Sequence, residues 1–301
     1  MAHFIDLNEL SKAQLNEIFK LAGDIKSRLK KGEIYSPLAG KQLAMIFEKP
    51  STRTRTSFEV GMSQLGGNSV ILNTENTQLG RGEEISDTAQ VLSRYVDVMM
   101  IRCFAHKTLL DLAKHSQVPV INGLTDFSHP CQIMADIMTY QEHKGSIEGK
   151  IVAWTGDSNN VTTSWIHAAG KLGFTLKIAT PENLKPNDET LQVMKDSNSE
   201  IIWTSNPKEA VENADLVTTD TWVSMGDKDA DEKCRILQDY QVNNDLMAFA
   251  SKDAIFMHCL PAHRGDEVTE DVIDGPKSVV FDEAENRLHV QKAIIIWCLQ
   301  N

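Results

Sequence analysis

Short apolar runs, separated by helical patterns, recur along the chain and limit how it can fold more than any other feature. They are Leu43 to Phe47, Val96 to Ile101, Val118 to Ile121, Ile151 to Trp154, Leu176 to Ala179, Ile201 to Thr204, Leu216 to Thr219 and Ile255 to His258. Several are apolar at every position, as a strand is when helices cover both its faces. Such strands alternating with helices specify an α/β protein with parallel sheets. At 301 residues the chain is long for a single core, so two domains are expected. The polar, glycine-bearing stretch Gln141 to Gly149 lies just before the run at Ile151 and marks the division, giving domains at 1–145 and 146–283. The run from Glu283 to Cys298 reads as a last helix. Ile294, Ile295, Ile296 and Trp297 are too apolar to lie exposed, so a helix at about 284–301 is expected to pack back onto the first domain.

The first apolar run leads into Ser51-Thr52-Arg53-Thr54-Arg55-Thr56, and Phe58, Met62 and Leu65 then repeat at i, i+4 and i+7, a helix face. Hydroxyls and guanidiniums therefore crowd a strand-to-helix turn. Backbone N–H groups and the positive end of the helix dipole favour an anion at such a turn. Arg53 can offer a two-pronged fork to phosphate oxygens, and Ser51, Thr52 and Thr54 can add hydroxyl bonds. Ser and Thr are also ordinary helix caps, but two Arg and three Thr in six residues exceed what capping needs. No glycine-rich nucleotide loop is present here, which points to a small, compact ligand carrying a phosphate.

Further polar clusters sit at the carboxyl ends of expected strands, where open α/β sheets bind ligands. Arg102 ends the run at Val96 to Ile101; a buried cation there needs an anionic or strongly polar partner, while a surface ion pair is the plainer alternative. His129 precedes Pro130, which holds it out of helical geometry, and Gln132 falls on the first turn of the next helix. A lone histidine is often structural, yet a His and an Arg converging on one carbonyl oxygen would make an oxyanion-type site. In Gly156-Asp157-Ser158-Asn159-Asn160, Asn160 either satisfies the local turn or offers an amide to a carboxylate. Asp220 ends the run at Leu216 and could catch an ammonium group; Ser224-Met225-Gly226 follows it. Cys259 closes the last run before a Leu260-Pro261 turn. A buried cysteine is usually inert, whereas cations nearby would favour its thiolate.

Composition removes several classes of function. The net charge of −12, with no basic stripe, argues against nucleic acid. Positive charge for an anionic substrate must then be local, from Arg53, Arg55 and Arg102. No run approaches the roughly 18 to 20 apolar residues needed to span a membrane, and no secretory signal is visible. The five cysteines are scattered without CxxC spacing, which suits free thiols in a reducing compartment, so a cytoplasmic location is expected and a structural zinc site is not.

The string from Phe47 to Glu59 resembles the carbamoyl-phosphate signature of the aspartate/ornithine carbamoyltransferase family. The resemblance runs from about Phe4 to Trp297 and is carried also by His129-Pro130-Cys131-Gln132, Asp220 to Gly226 and His258-Cys259-Leu260-Pro261. It implies two doubly wound parallel-sheet domains with the active site in the cleft between them. The Asp220 to Gly226 segment favours the ornithine branch, with carbamoyl transfer from carbamoyl phosphate to the δ-amine of L-ornithine; a sister enzyme acting on putrescine or an acylated ornithine is the alternative. By resemblance, Ser51, Thr52, Arg53, Thr54 and Arg102 would hold the phosphate. Thr54, Arg102 and His129 would donate to the carbonyl oxygen. Gln132 and the Leu260 carbonyl would fix the carbamoyl NH2, with Arg287 near it. Asn160, Asp220, Ser224 and Met225 would grip ornithine, and Cys259 would face its δ-amine. Gln78 matches a loop that reaches a neighbouring chain's site, which implies a homotrimer with shared active sites, or a larger assembly of trimers. No cofactor is implied.

Overall fold

The first sheet is built around β1 (Gln42–Phe47), which is buried from Leu43 onward. The computed structural model describes residues 1–76, 78, 82–197, 199–223 and 230–301. These form two units, 1–135 with 286–301 and 136–285. In the first unit, β1 pairs in parallel with β2 (Asn68–Asn73) on one side and with β3 (Val98–Arg102) on the other. A fourth strand, β4 (Val120–Leu124), lies beyond β3, so the order is β2-β1-β3-β4. The helices are α1 (Lys12–Lys30), α2 (Thr52–Gln64), α3 (Ile85–Leu92), α4 (His106–His115) and the start of α5 (Pro130–Lys144).

The chain leaves β1 toward β2 and then crosses to the other side as β3, so the winding reverses between β1 and β3. Ligands bind at such a reversal, beyond the carboxyl ends of the strands. Register sets what meets there, because Phe47 is paired with Arg102, one residue before the turn that leads to Ser51. At the next interface Ile101 pairs with Asn122 but Arg102 with Leu124, leaving Gly123 as an extra residue in β4. A Cβ at Gly123 would sit 2.4 Å from Met100 Sδ and 3.0 Å from the Ile101 carbonyl oxygen. Such a bulge bends the strand that contains it and adds local twist, here at the end of β4 beside Arg102.

The C-terminal residues of this unit are tied in by Lys26 Nζ donating to Asn286 Oδ1 (2.7 Å), Lys292 Nζ to Gln64 Oε1 (2.8 Å) and Trp297 Nε1 to Glu17 Oε2 (3.2 Å). Ile294, Ile295, Ile296 and Trp297 are all buried.

The second unit repeats the principle with five parallel strands: β5 (Ile151–Thr155), β6 (Thr175–Ala179), β7 (Ile201–Thr204), β8 (Leu216–Thr219) and β9 (Ile255–His258). Their order, β7-β6-β5-β8-β9, reverses between β5 and β8. Its helices are α6 (Asn160–Leu172), α7 (Asp188–Asp196), α8 (Pro207–Val211), α9 (Ala230–Leu237), α10 (Asn244–Met247), α11 (Glu270–Ile273) and the first turn of α12 (Val280–Gln300). Ala153, Val217 and Phe256 stand in register on adjacent strands and join one core cluster with Val242, Val268 and Val272. Among the described residues, no helix is long and apolar enough to cross a membrane.

All eight apolar runs form strands, with ends shifted by up to three residues. The ninth strand, β2, was not expected from the sequence. It is a half-exposed edge strand flanked by Asn68 and Asn73, so it lacks the uniform apolarity of a strand covered on both faces. The last helix begins at Val280, three residues before the expected Glu283.

Because Gly123 is buried against Met100 and the Ile101 carbonyl, Gly123→Ala is expected to overpack the bulge and cost about 1–3 kcal/mol. A urea titration should show a lower midpoint with an unchanged slope; an unchanged midpoint would mean that the strand end absorbs a methyl group freely.

Candidate active site

In the first unit the polar groups collect where β1 and β3 end. Ser51 is the N-cap of α2, its hydroxyl accepting from the Thr54 N–H at 3.2 Å. The cap holds the first turn of the helix and turns Thr54 into the protein, where it is fully buried. Two guanidiniums reach the Thr54 hydroxyl: Arg287 Nη2 donates to Oγ1 at 2.9 Å, and Arg102 Nη1 lies at 3.4 Å. One arginine comes from the end of β3 and the other from α12, 233 residues away in sequence from Thr54. Arg53, next to Thr54 in sequence, is half-buried, whereas Arg55 is exposed and faces Glu59 at 3.9 Å along the helix.

His129 and Gln132 are buried at the start of α5. Burial pushes the His129 pKa well below the ordinary histidine value, and the positive charges of Arg287 and Arg102 add to the effect. The ring is therefore neutral at physiological pH and can donate one hydrogen bond without carrying charge. Cys131, between them in sequence, is inert: its thiol faces the Asn122 carbonyl at 3.3 Å and burial pushes its pKa up to about 12. At the rim, Glu48 accepts from the Phe104 N–H at 2.9 Å, Lys49 pairs with Asp126, and the Lys49 ammonium lies 4.2 Å over the Phe104 ring.

In the second unit the site lies beyond β5, β8 and β9. Asp220, next after β8, is held on both oxygens. Oδ1 accepts from the Thr221 N–H (2.7 Å) and from the Cys259 thiol (3.1 Å), and Oδ2 accepts from Asn159 Nδ2 (2.8 Å). Asn159 also caps α6 through Oδ1, which accepts from the N–H groups of Val161 and Thr162. Asn160 opens the same helix and is partly exposed.

Cys259 corrects the expectation of a thiolate near cations. Burial, then the carboxylates of Asp220, Glu283 and Asp136, raise its pKa well above the ordinary thiol value, so the sulfur is a neutral S–H that donates to Asp220. The turn that follows is pinned: Leu260 has a left-handed φ of 55° and its N–H donates to His258 Nδ1 at 2.9 Å.

Gln78 is exposed, and its carbonyl accepts from the Glu83 N–H at 3.1 Å. Ser224 and Met225 lie outside the described residues. Among the described residues, two groups of side chains could approach a metal ion, Asp220 with His258 and Cys259, and His263 with Asp266 and Glu267. In the first, the thiol is already bonded to Asp220 and both ring nitrogens of His258 have protein partners, so a metal would displace existing bonds.

Three residues of the second cluster, Asn159, Glu267 and Glu283, are not expected from the sequence. Asn159 was visible beside Asn160, but adjacent asparagines do not show which one caps the helix. Glu267 and Glu283 carry no local signal, because acidic residues are normally exposed and only the fold buries these two.

The family model for the aspartate/ornithine carbamoyltransferase carbamoyl-P binding domain matches residues 2–142, and the model for the Asp/Orn binding domain matches residues 148–298. The chain is 58% identical over 298 residues to the ornithine carbamoyltransferase of Nitrobacter winogradskyi, covering 99% of this chain and 97% of that one. It is 56% identical over 299 residues to that of Brucella suis, covering 99% and 96%. Among solved structures, the ornithine carbamoyltransferase of Pyrococcus furiosus superposes with a TM-score of 0.95 at 49% identity, covering 99% of this chain and 97% of that one. The anabolic ornithine carbamoyltransferase of Campylobacter jejuni gives 0.93 at 40%, covering 100% and 99%. Both units and nearly every residue are accounted for by these likenesses, and the chain belongs to the aspartate/ornithine carbamoyltransferase family.

Proposed function

We propose that this protein transfers the carbamoyl group of carbamoyl phosphate to the δ-amine of L-ornithine, giving L-citrulline and phosphate. The observation that carries the reading is the meeting of Arg102 and Arg287 on the buried Thr54 hydroxyl at the start of α2. Two guanidiniums and a helix N-terminus raise the positive potential at one point of an acidic chain, as a phosphorylated carbonyl substrate requires. The choice of amine follows the relatives, which bear the name ornithine carbamoyltransferase.

In this reading Ser51, Thr52, Arg53, Thr54 and Arg102 hold the phosphate. Thr54, Arg102 and neutral His129 donate to the carbonyl oxygen as it becomes an oxyanion, with Arg287 beside them. Gln132 and the Leu260 carbonyl accept from the carbamoyl NH2. The deprotonated δ-amine attacks the carbonyl carbon, a tetrahedral species forms, and its collapse breaks the C–O bond to phosphate. The proton lost from the amine leaves with phosphate. Fixed donors of this kind are worth about 3 kcal/mol each in the transition state.

On the second unit, Asn160, Asp220, Ser224 and Met225 bind the α-amino and α-carboxylate groups of ornithine, and Cys259 faces the δ-amine. A thiol held neutral by carboxylates does not compete as a nucleophile, so it orients the amine without covalent chemistry. Gln78 serves the site of a neighbouring chain, with a homotrimer as the working form. Free thiols at all five cysteines suit a cytoplasmic enzyme of arginine biosynthesis or of the arginine deiminase pathway.

The test is product formation from carbamoyl phosphate with L-ornithine, L-aspartate, putrescine and N-acetyl-L-ornithine as parallel acceptors. Citrulline formed selectively from ornithine is the expected result; selective turnover of another amine would reassign the acceptor site. Thr54→Val, which removes the shared hydroxyl, should lower kcat about 10²- to 10³-fold, and wild-type kcat in this variant would remove the main support for the reading. Gln78→Ala should weaken carbamoyl phosphate binding while sedimentation still reports a trimer; unchanged affinity would count against the shared site.

For Cys259 the sign of the pKa shift fixes the pH dependence. The thiolate is the reactive form, and each unit by which the pKa is raised lowers its population about tenfold at a given pH below the pKa. Iodoacetamide should modify the Cys259 peptide at pH 8 far more slowly than it modifies free cysteine, with the rate still climbing above pH 9. Asp220→Asn should speed the reaction. Alkylation at the rate of free cysteine would contradict the neutral thiol.

A further inference from the structure

We propose that Glu267 is a positioning residue for the Cys259–Leu260 turn, acting through a single tautomer of His258. The inference rests on the carbamoyltransferase reading above and adds a residue that this reading does not use. The His258 ring is fully buried, and so, but for about 1% of its side chain, is Glu267. The Leu260 N–H points at His258 Nδ1 at 2.9 Å, and a backbone N–H can only donate, so Nδ1 must carry the lone pair. The ring proton is then on Nε2, which faces Glu267 Oε1 at 3.2 Å and donates to it. The same carboxylate oxygen accepts from the His263 N–H at 2.6 Å. One acidic side chain thus fixes the ring that holds Leu260 and also anchors the far side of the turn.

The surroundings keep Glu267 in place. The Val242 N–H donates to the Glu267 carbonyl at 2.9 Å, and the Thr269 N–H donates to the Val242 carbonyl at 3.0 Å, so the backbone on both sides of Val268 is bonded to Val242. Beyond it Arg264 forms a two-pronged pair with Asp274 at 2.9 and 2.8 Å. The His258 N–H donates to the buried Glu283 at 2.9 Å, which ties the end of β9 to the start of α12. Leu260 sits at φ 55°, a conformation that a leucine does not adopt without support, and the bond from its own N–H to His258 supplies that support.

If the carboxylate is lost, a buried ring N–H has no acceptor, and the imidazole is free to move its proton to Nδ1. Two N–H groups would then oppose each other at Leu260, and the turn would release. Cys259 and the Leu260 carbonyl, flanking this bond, would lose their aim together. The proposal therefore concerns the acceptor geometry of Glu267, not its charge. Glutamine at this position keeps a carbonyl oxygen for both donors; alanine removes it.

The experiment compares Glu267→Gln and Glu267→Ala with the wild type in citrulline formation, and reads the His258 tautomer by two-bond 1H–15N correlation in protein labelled with 15N at its histidines. Glu267→Ala should lower kcat about 10²-fold, the cost of misplacing reacting groups by about 1 Å, with a smaller change in the KM for ornithine. Glu267→Gln should restore most of kcat. The wild type should show His258 protonated at Nε2 alone. Wild-type kcat in Glu267→Ala, or equal losses in both variants, would overturn the proposal. A His258 proton on Nδ1 in the wild type would overturn it too, even if the alanine variant does not fold. Failure of the wild type to make citrulline is a separate result, which would bring down the functional reading on which the proposal rests.

Discussion

Parallel pairing with a reversal of winding is the constraint on which the rest depends. A parallel strand must be followed by a crossover before the next can pair, so every strand of a sheet ends at the same edge. Where the winding reverses, two of these ends adjoin with no crossover between them, and polar residues can face a ligand there without breaking a core. The first unit reverses between β1 and β3, with Phe47 in register with Arg102. The second reverses between β5 and β8, so that Asn159 after β5 meets Asp220 after β8 at 2.8 Å. The chemistry is thus concentrated by backbone topology before any side chain is chosen.

The two units use opposite electrostatics to the same end. In the first, arginines and burial make a protonated imidazole unfavourable, so His129 is a neutral donor. In the second, carboxylates and burial make a thiolate unfavourable, so Cys259 is a neutral thiol. Desolvation disfavours the charged form in both cases, and the neighbours carry the charge sign that the ionised group would share. A local positive cluster of this kind is compatible with a net charge of −12, because interactions between exposed charges are screened within about 10 Å at ordinary salt. The bulk of the surface can be acidic while Thr54 receives two guanidiniums.

Both clusters are also held by helix caps and loop bonds that cost little sequence. Ser51 and Asn159 are each a single residue before a helix, and each turns a functional group inward by accepting from the helix's free N–H groups. The His258 ring does the same for a turn without a helix, using Glu267 to choose its tautomer. Second partners of this kind decide how firmly a reactive group is aimed.

Sequence alone determined the α/β class, because short apolar runs alternating with helical patterns fit strands joined by crossover helices, and eight of the nine described strands were marked by such runs. It also marked the Ser51 to Thr56 turn, His129, Gln132, Asp220 and Cys259, since each stands at the end of a run where the pattern changes from apolar to polar. Only the tertiary structure decided what those residues are beside. Arg287 lies 233 residues from Thr54, and Asp220 lies 39 from Cys259, distances over which no local pattern carries information. That is why the thiol of Cys259 looked open to cations in the sequence and proved to face carboxylates. It is also why the buried acids Glu267 and Glu283 went unseen: an acidic residue reads as surface until the fold supplies its donors.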